Sequence, residues 1–246
     1  MVVIGIPLRY NHLEDGRCIL FLGEKVRRTF QKAGALIIPI VPLQDCDYMD
    51  TKYEEYPELT EDNKIVIDKY LDMCDGIVFP GGNKISTFDE YLLERCVELN
   101  KKVLGICLGM QLISNYKRKF QTEEIPEGVH NQEDDNLLTH RVILDKNSKL
   151  YDILGEESIL VNSFHKMHAL DNEYLSVIAR SSDGIIEGIE FKDKDFIVGI
   201  QWHPEISYDF DDNSRKLIDG FLEKCKKKVK KVKNDWQNEV LCIKYY

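Results

Sequence analysis

Short apolar runs alternate with helical stretches through the first half of the chain. Four of the runs are apolar at nearly every position, as expected for strands that are buried on both faces of a sheet. These predicted strands are Val2 to Ile6, Leu36 to Val41, Gly76 to Phe79 and Val103 to Ile106. Between them, apolar residues at helical spacing predict helices at Phe21 to Ala33, Asp62 to Cys74 and Phe88 to Leu99.

The regular order of strand and helix predicts an α/β fold with right-handed crossovers. We expect a doubly wound, mostly parallel, flavodoxin-like sheet with helices on both faces. Such sheets carry their chemistry at the carboxyl ends of the strands, so the loops after Phe79 and Ile106 are the places to search.

The second half of the chain has the spacing of hairpins and predicts a small antiparallel extension of the sheet. Its predicted strands are Arg141 to Leu144, Ile159 to Val161, Leu175 to Arg180, Gly184 to Phe191 and Phe196 to Gln201. The polar stretch from Lys117 to Asn136 predicts a long surface excursion and a candidate lid. A final helix is expected from Asp211 to about Val232. One domain would then cover residues 1–232, leaving 233–246 as an unassigned tail.

Composition narrows the class of protein. The chain has 246 residues, of which 43% are hydrophobic and 31% charged, values that exclude a fibrous or wholly disordered protein. The longest mainly apolar run, Ala33 to Leu43, has 11 residues and is too short to span a membrane. The amino terminus resembles a first strand and not a signal peptide, so a cytoplasmic location is expected.

Net charge and cysteine content narrow the class of protein further. The net charge of −10 argues against a nucleic-acid partner. Seven of the ten residues from Lys224 to Lys233 are lysine, a run that we interpret as the solvated end of a helix. The seven cysteines form no Cys-x-x-Cys pair and no zinc set, so free thiols and no bound metal are expected.

The strongest chemical signal is the sequence Gly-Ile-Cys-Leu-Gly at residues 105–109. It follows a predicted strand and opens an apolar helical stretch, Leu108 to Ser114, which is the setting of a nucleophile elbow. Chance alone gives roughly 0.03 Gly-x-Cys-x-Gly matches in a chain of this composition. A sharp turn of this kind holds the Cys107 sulfur at a helix N-terminus, where the unpaired N–H groups favour a thiolate.

A base for this thiol is offered at the end of the last predicted strand. His203 and Glu205 are two positions apart in an extended segment, so their side chains point the same way and the carboxylate can orient the imidazole. The loop at Pro80 to Asn83 follows a neighbouring strand. The N–H groups of Gly82 and Leu108 are therefore candidates for an oxyanion hole. His12, His130, His140 and His168 show no partner at a telling spacing and are expected at the surface or in loops.

The chain resembles the class I glutamine amidotransferase superfamily in three motifs: Gly105 to Gln111, Pro80 to Gly82, and Gln201 to Glu205. Within the superfamily it is most similar to the stand-alone γ-glutamyl hydrolases, especially the γ-glutamyl-γ-aminobutyrate hydrolase group. The likeness extends over most of residues 2–225. One departure is Lys166-Met167, where that group usually continues with His-Gln, so the identity of the leaving amine stays open.

The resemblance implies that Cys107 is the nucleophile, His203 the base and Glu205 its orienting group, with oxyanion donors at Gly82 and Leu108. It also implies that certain residues hold the α-amino and α-carboxylate groups of a glutamyl substrate. These substrate-binding residues are Gln111, Ser163, Phe164 and His165.

The implied activity is hydrolysis of γ-glutamyl amides or peptides through a glutamyl thioester, releasing glutamate and an amine with no cofactor or metal. The expected ligand is a small-molecule γ-glutamyl substrate, with no nucleic-acid or membrane partner. An alternative is a glutaminase subunit that supplies ammonia to a separate synthetase. A third hypothesis is a binding or scaffold protein that lost catalysis and docks through the lysine run. A homodimer and a synthetase partner both stay open.

Overall fold

A nine-stranded sheet with helices on both faces forms the centre of the computed structural model, which describes residues 1–126, 130–132 and 134–226. The strands in chain order are β1 (Val2–Pro7), β2 (Arg9–His12), β3 (Cys18–Phe21), β4 (Ala35–Ile40), β5 (Gly76–Phe79), β6 (Lys102–Ile106), β7 (Glu123–Glu124), β8 (His140–Leu144), β9 (Ser158–Val161), β10 (Met167–His168), β11 (Leu175–Ser181), β12 (Ile186–Phe191) and β13 (Ile197–Ile200). The helices are α1 (Glu24–Lys32), α2 (Glu61–Met73), α3 (Thr87–Glu98), α4 (Leu108–Ser114), α5 (Lys149–Leu154), α6 (Pro204–Ser207) and α7 (Asp212–Cys225), with a 3₁₀ turn at Tyr53–Glu55.

The strand order across the main sheet is β4-β1-β5-β6-β13-β12-β11-β8-β9. The first five of these strands run parallel, and β12, β11, β8 and β9 continue antiparallel. This confirms the predicted doubly wound, flavodoxin-like fold with an antiparallel extension. The last described strand, β13, was predicted within the antiparallel extension but runs parallel to β6 at the centre of the sheet. The carboxyl ends of β5, β6 and β13 therefore meet at one edge.

Two apolar layers cover the sheet, one on each face. The α1, α5 and α7 helices pack on one face, where Phe30 and Phe221 meet edge to face with ring centroids 6.4 Å apart. The α2, α3 and α4 helices cover the other face through residues such as Leu71, Phe88 and Ile113, all with 0% exposure. Because the strands are enclosed on both faces, their apolar runs are continuous and not alternating.

The helix starts follow local capping chemistry. The Thr60 hydroxyl accepts from the N–H of Asn63, and the Asn63 side chain accepts in return from the Thr60 N–H. Ser86 and Asp89 form the same reciprocal cap on α3. These caps place the starts of α2 and α3 one residue before the positions that periodicity predicts.

Several predicted bounds are corrected by the structure. The first helix begins at Glu24 and not at Phe21, because Phe21 closes the β2–β3 hairpin, an element that the sequence did not predict. The strand expected from Gly184 begins at Ile186, since Gly184 occupies a turn with φ +89°. The excursion from Lys117 to Asn136 is anchored in part, because β7 within it pairs with β10.

The end of the chain is described as far as Lys226. The final helix α7 ends at Cys225, and the predicted continuation to Val232, most of the lysine run and the tail 233–246 lie outside the described residues. Among the residues that are described, no helix is long and apolar enough to cross a membrane.

Gly109 gives a direct test of how tightly α4 packs on the sheet. A Cβ added at Gly109 would lie 2.1 Å from the carbonyl oxygen of Phe79, the last residue of β5. We predict that Gly109→Ala lowers the free energy of unfolding by about 2 kcal/mol or more, because backbone must move to relieve the overlap. Denaturant unfolding measures the change.

The matched control is Gly23→Ala. The nearest atom to a Cβ at Gly23 would be 3.7 Å away, an ordinary contact distance. This control should leave stability nearly unchanged, and equal unfolding midpoints for the two variants would contradict the packing argument.

Candidate active site

Cys107 occupies a strained turn between β6 and α4. Its backbone has φ 53° and ψ −105°, a conformation that residues with a Cβ rarely adopt. The Cys107 N–H donates to the carbonyl of Ile200 on β13 at 2.8 Å, and its own carbonyl accepts from the N–H of Gln111 at 3.1 Å. These bonds hold the residue at the carboxyl edge of the sheet, where the sequence predicts chemistry.

The two glycines around Cys107 allow this turn. A Cβ at Gly105 would lie 2.6 Å from the carbonyl oxygen of Gly109, so any larger residue would separate the strand from the helix. Cys107 itself keeps 8% of its surface exposed. The residue is therefore buried, but less completely than Cys96, which has 0% exposure.

His203 follows β13 and is held by three residues. Its Nδ1–H donates to Glu205 Oε1 at 2.7 Å, which leaves Nε2 for another partner. Its backbone is fixed from both sides by Asn162, whose Oδ1 accepts from the His203 N–H at 2.8 Å and whose Nδ2 donates to the His203 carbonyl at 2.7 Å. Phe164 packs against the ring at 5.8 Å between centroids. Asn162 is thus a positioning residue that residue-level sequence reasoning did not single out.

The structure brings Cys107 and His203 together at the ends of the adjacent parallel strands β6 and β13. The two strands pair in register at Ile106 and Ile200, just before their ends, and Cys107 is among the groups that raise the pKa of His203. Gly81 lies against both, since a Cβ there would be 2.7 Å from Cε1 of His203 and 3.6 Å from Cβ of Cys107. The His203 side chain retains 13% exposure, so the pair borders the surface.

Electrostatics favour a charged His203. Burial disfavours the imidazolium, but the Glu205 carboxylate and Cys107 outweigh it and raise the pKa of His203 well above its ordinary value. The Glu205 carboxylate is itself 5% exposed, and Thr29 donates to its backbone carbonyl at 2.9 Å. The imidazolium form of His203 is therefore stabilised at this site.

Gly82 and Leu108 are brought side by side as the sequence predicts. A Cβ at Gly82 would lie 3.2 Å from Cδ2 of Leu108. Within the described part of the chain, neither backbone N–H has a hydrogen-bond acceptor. Free backbone N–H groups of this kind are what an oxyanion hole requires.

Arg9 holds the glycine loop, residues Pro80 to Asn83, through the Pro80 carbonyl. Its side chain is buried and donates to the carbonyl of Pro80 from Nη2 at 2.8 Å and from Nε at 3.2 Å. Its third nitrogen, Nη1, donates to Asp89 at 2.9 Å, and Tyr10 donates to the same carboxylate at 3.0 Å. Arg9 and Asp89 are 80 positions apart, so no local spacing could have indicated the pair.

The four residues expected to bind substrate are distributed around the Cys107–His203 pair. Gln111 lies one turn after Cys107 on α4 and donates to the carbonyl of Met167 at 3.1 Å. Phe164 contacts the His203 ring. The side chains of its neighbours, Ser163 and His165, are buried in the protein. The Ser163 hydroxyl donates to the carbonyl of His130 at 2.7 Å, and His165 Nδ1–H donates to that of Met167 at 3.1 Å.

The expectation of a surface or loop position is wrong for His140, which lies on β8 with its side chain 15% exposed. His130 lies between β7 and β8, outside any helix or strand as expected of a loop residue, but it is buried, with 3% exposure. Both rings pack beside Glu187, which is fully buried on β12. Spacing along the chain could not show this cluster, because its members come from separate segments of the fold.

Known proteins are similar to this chain in sequence and in fold. The Peptidase C26 family model matches residues 86–205, a range that contains Cys107, His203 and Glu205. A glutamine amidotransferase-like protein of Lactococcus lactis is 28% identical over 182 residues, covering 63% of this chain and 76% of its own. The γ-glutamyl-γ-aminobutyrate hydrolase PuuD of Escherichia coli is 30% identical over 148 residues, which cover 54% of this chain and 58% of that relative.

A solved structure matches along nearly the whole chain. It is a GMP synthase component from Thermoplasma acidophilum, with a TM-score of 0.61 and 16% identity over 92% of this chain and 94% of its own. At that identity the match concerns the fold alone.

The charge state of His203 can be tested through Glu205. We predict that Glu205→Gln lowers the pKa of His203, because the carboxylate is the largest of the influences that raise it. Between pH 6.5 and the raised value, the imidazole would be charged in the wild type and neutral in the variant. The stability that this charge contributes is complete below pH 6.5 and is lost as pH rises through the folded-state pKa.

Imidazole NMR titration of isotope-labelled protein measures the shift. Asp209→Asn is the matched control, since this exposed carboxylate pairs with Lys32. An unchanged His203 pKa in Glu205→Gln would contradict the proposed electrostatics.

Proposed function

We propose that this chain, a member of the class I glutamine amidotransferase superfamily, is a cysteine-dependent hydrolase of γ-glutamyl amides or peptides. The observation that carries the proposal is the convergence of Cys107 and His203 at one sheet edge, with Glu205 2.7 Å from the far side of the imidazole. A nucleophile, a base and an orienting carboxylate in this order are the components of acyl transfer.

In the proposed first step, the Cys107 thiolate attacks the δ-carbonyl carbon of the γ-glutamyl group. The developing oxyanion accepts from the N–H groups of Gly82 and Leu108. Each such donor is worth about 3 kcal/mol in comparable sites. His203, which already carries the proton, donates it to the departing nitrogen, so the amine leaves and a glutamyl thioester remains.

In the second step, neutral His203 takes a proton from water, and the resulting hydroxide attacks the thioester carbonyl. The carbon–sulfur bond breaks, glutamate leaves, and the thiolate–imidazolium pair is restored. Glu205 stabilises the imidazolium in both steps. Gln111 and the Ser163–His165 segment are proposed to hold the α-amino and α-carboxylate groups, with backbone groups of the segment contributing because the Ser163 hydroxyl already bonds His130.

The name of the E. coli relative favours a γ-glutamyl amine as substrate, because that protein is named for γ-glutamyl-γ-aminobutyrate. The L. lactis relative favours the alternative, a glutaminase that supplies ammonia to a separate synthetase. The two proposals share every chemical step up to the thioester and differ in the leaving group. Comparing turnover of γ-glutamyl amines with turnover of glutamine, by the purified chain alone, separates them.

The nucleophile is tested by Cys107→Ser. We expect glutamate release from a panel of γ-glutamyl amides and glutamine to fall by ~10³-fold or more, because a serine hydroxyl at this position has no comparable base activation. The thermal midpoint should change little, since the two side chains have similar volume.

The control is Cys46→Ser, which replaces a partly exposed cysteine elsewhere in the chain and should retain activity. Retained activity in Cys107→Ser would refute the assignment. If the wild type turns over glutamine faster than every γ-glutamyl amine, the glutaminase alternative replaces the first proposal.

A further inference from the structure

Three histidines surround one buried carboxylate behind the candidate active site. His130 Nδ1, His140 Nε2 and His165 Nε2 lie 3.3, 3.2 and 3.5 Å from the same oxygen, Oε1 of Glu187. The ring centroid of His130 is 4.5 Å from that of His140 and 4.8 Å from that of His165. Glu187 has 0% exposure, and its second oxygen, Oε2, has no hydrogen-bond partner in the described part of the protein.

In His130 and His165, the ring nitrogen that faces away from Glu187 determines whether the nitrogen that faces Glu187 carries a hydrogen or a lone pair. His165 Nδ1 faces the carbonyl of Met167 at 3.1 Å, and His130 Nε2 faces an Asp183 oxygen at 3.0 Å. Carbonyl and carboxylate oxygens only accept, so each of these nitrogens carries the hydrogen. In the neutral rings the opposite nitrogens are bare, and both are directed at the Glu187 carboxylate.

The bare nitrogens find no donor nearby. The Ser163 hydroxyl is 3.3 Å from His130 Nδ1, but its single hydrogen is used on the His130 carbonyl. His165 Nε2 is buried and without a hydrogen-bond partner among the described residues. Lone pairs aimed at a buried carboxylate require a positive charge between them.

The distances favour a metal ion over a proton as that charge. Charge-assisted hydrogen bonds would draw the nitrogens to about 2.7–2.9 Å from the oxygen. In a tetrahedral site with metal–ligand distances of about 2.0–2.1 Å, neighbouring ligand atoms lie about 3.3 Å apart. The observed 3.2 and 3.3 Å match the second geometry.

Glu187 is fully buried beside the three rings, so its carboxylate requires a compensating positive charge. Asp183 supplies the outer contact on His130 that a metal-bound histidine normally makes.

We propose that His130 Nδ1, His140 Nε2 and Glu187 bind one divalent transition-metal ion of the Zn²⁺ class, with His165 Nε2 as a candidate fourth ligand. The ligand atoms of the first three lie within 4.8 Å of one another. Imidazole and carboxylate together suit Zn²⁺ and its neighbours in the first transition row. The site joins β8, β12 and the chain around residue 130, and the His130 carbonyl accepts from both the Ser163 hydroxyl and the His165 N–H. Its role is to stiffen the wall behind Phe164.

The test uses metal binding and not catalysis. The full chain is stripped with a chelator, titrated with Co²⁺ under absorption spectroscopy, and then back-titrated with Zn²⁺. We expect one equivalent of Co²⁺ with the visible bands of a four-coordinate site, without the near-ultraviolet thiolate band that binding by a cysteine would produce, and complete displacement by Zn²⁺. The thermal midpoint of the wild type should rise when Zn²⁺ is restored.

Two variants locate the site. His140→Ala should weaken Co²⁺ binding by at least about 100-fold and remove the thermal response to Zn²⁺. His12→Ala is the matched control, because His12 belongs to an exposed group with Asp47 and Asp50 and should bind Co²⁺ as the wild type does.

The proposal is overturned if the stripped wild type binds no stoichiometric Co²⁺, a result that would leave the cluster as a proton-bound network. It is equally overturned if folded His140→Ala binds as well as the wild type. Should His140→Ala not fold, the stoichiometry and spectrum of the wild type decide alone. Glutamate release is not measured, so this outcome is independent of the proposed hydrolase activity.

Discussion

The strained turn at Cys107 is the constraint on which the rest of the site depends. A residue with a Cβ is held at φ 53° because the strand before it and the helix after it are both fixed by packing. Gly105 and Gly109 remove the side chains that would force these elements apart. The N–H of Cys107 is bonded to β13, the strand that also delivers His203. One hydrogen bond between two parallel strands therefore sets the register of nucleophile and base.

At the same edge of the sheet, burial and a neighbouring charge have opposite effects on the pKa of His203. Enclosing His203 disfavours its charged form, and the short contact with Glu205 reverses that preference. The Asn162 side chain fixes the backbone of His203, and Arg9 fixes the glycine loop opposite it. His203 and the loop at Pro80 are thus each positioned by a buried polar residue from a distant part of the chain. This arrangement lets a mobile substrate meet groups that need little reorganisation.

The sequence predicted what depends on local pattern. The strands β1, β5 and β6 were found because both of their faces are buried, and the edge strand β4 because its residues are apolar throughout. The elbow was found because its glycines are required by a turn of five residues. The β2–β3 hairpin was missed because its polar strand, Arg9–His12, shows no apolar alternation. The helix α5 was missed because six residues are too few to display a helical period.

The clusters behind the site depend on tertiary contacts that leave no local signal. Arg9 meets Asp89 across 80 positions, and His130 and Glu187 come from different elements. In the sequence, each of these residues has an ordinary interpretation as a surface charge or a loop histidine. Only the fold, in which β11 separates β8 from β12, shows that His130, His140, His165 and Glu187 share one buried space.

The most direct test of the account is capture of its covalent intermediate. The wild-type chain would be mixed with a γ-glutamyl amide, quenched in acid within the first turnover, and digested for mass spectrometry. The account predicts that a glutamyl group is attached to the peptide that contains Cys107 and that it is released by hydroxylamine, as a thioester is. Steady turnover of the same substrate with no modification of that peptide, or with the glutamyl group on another residue, would contradict it.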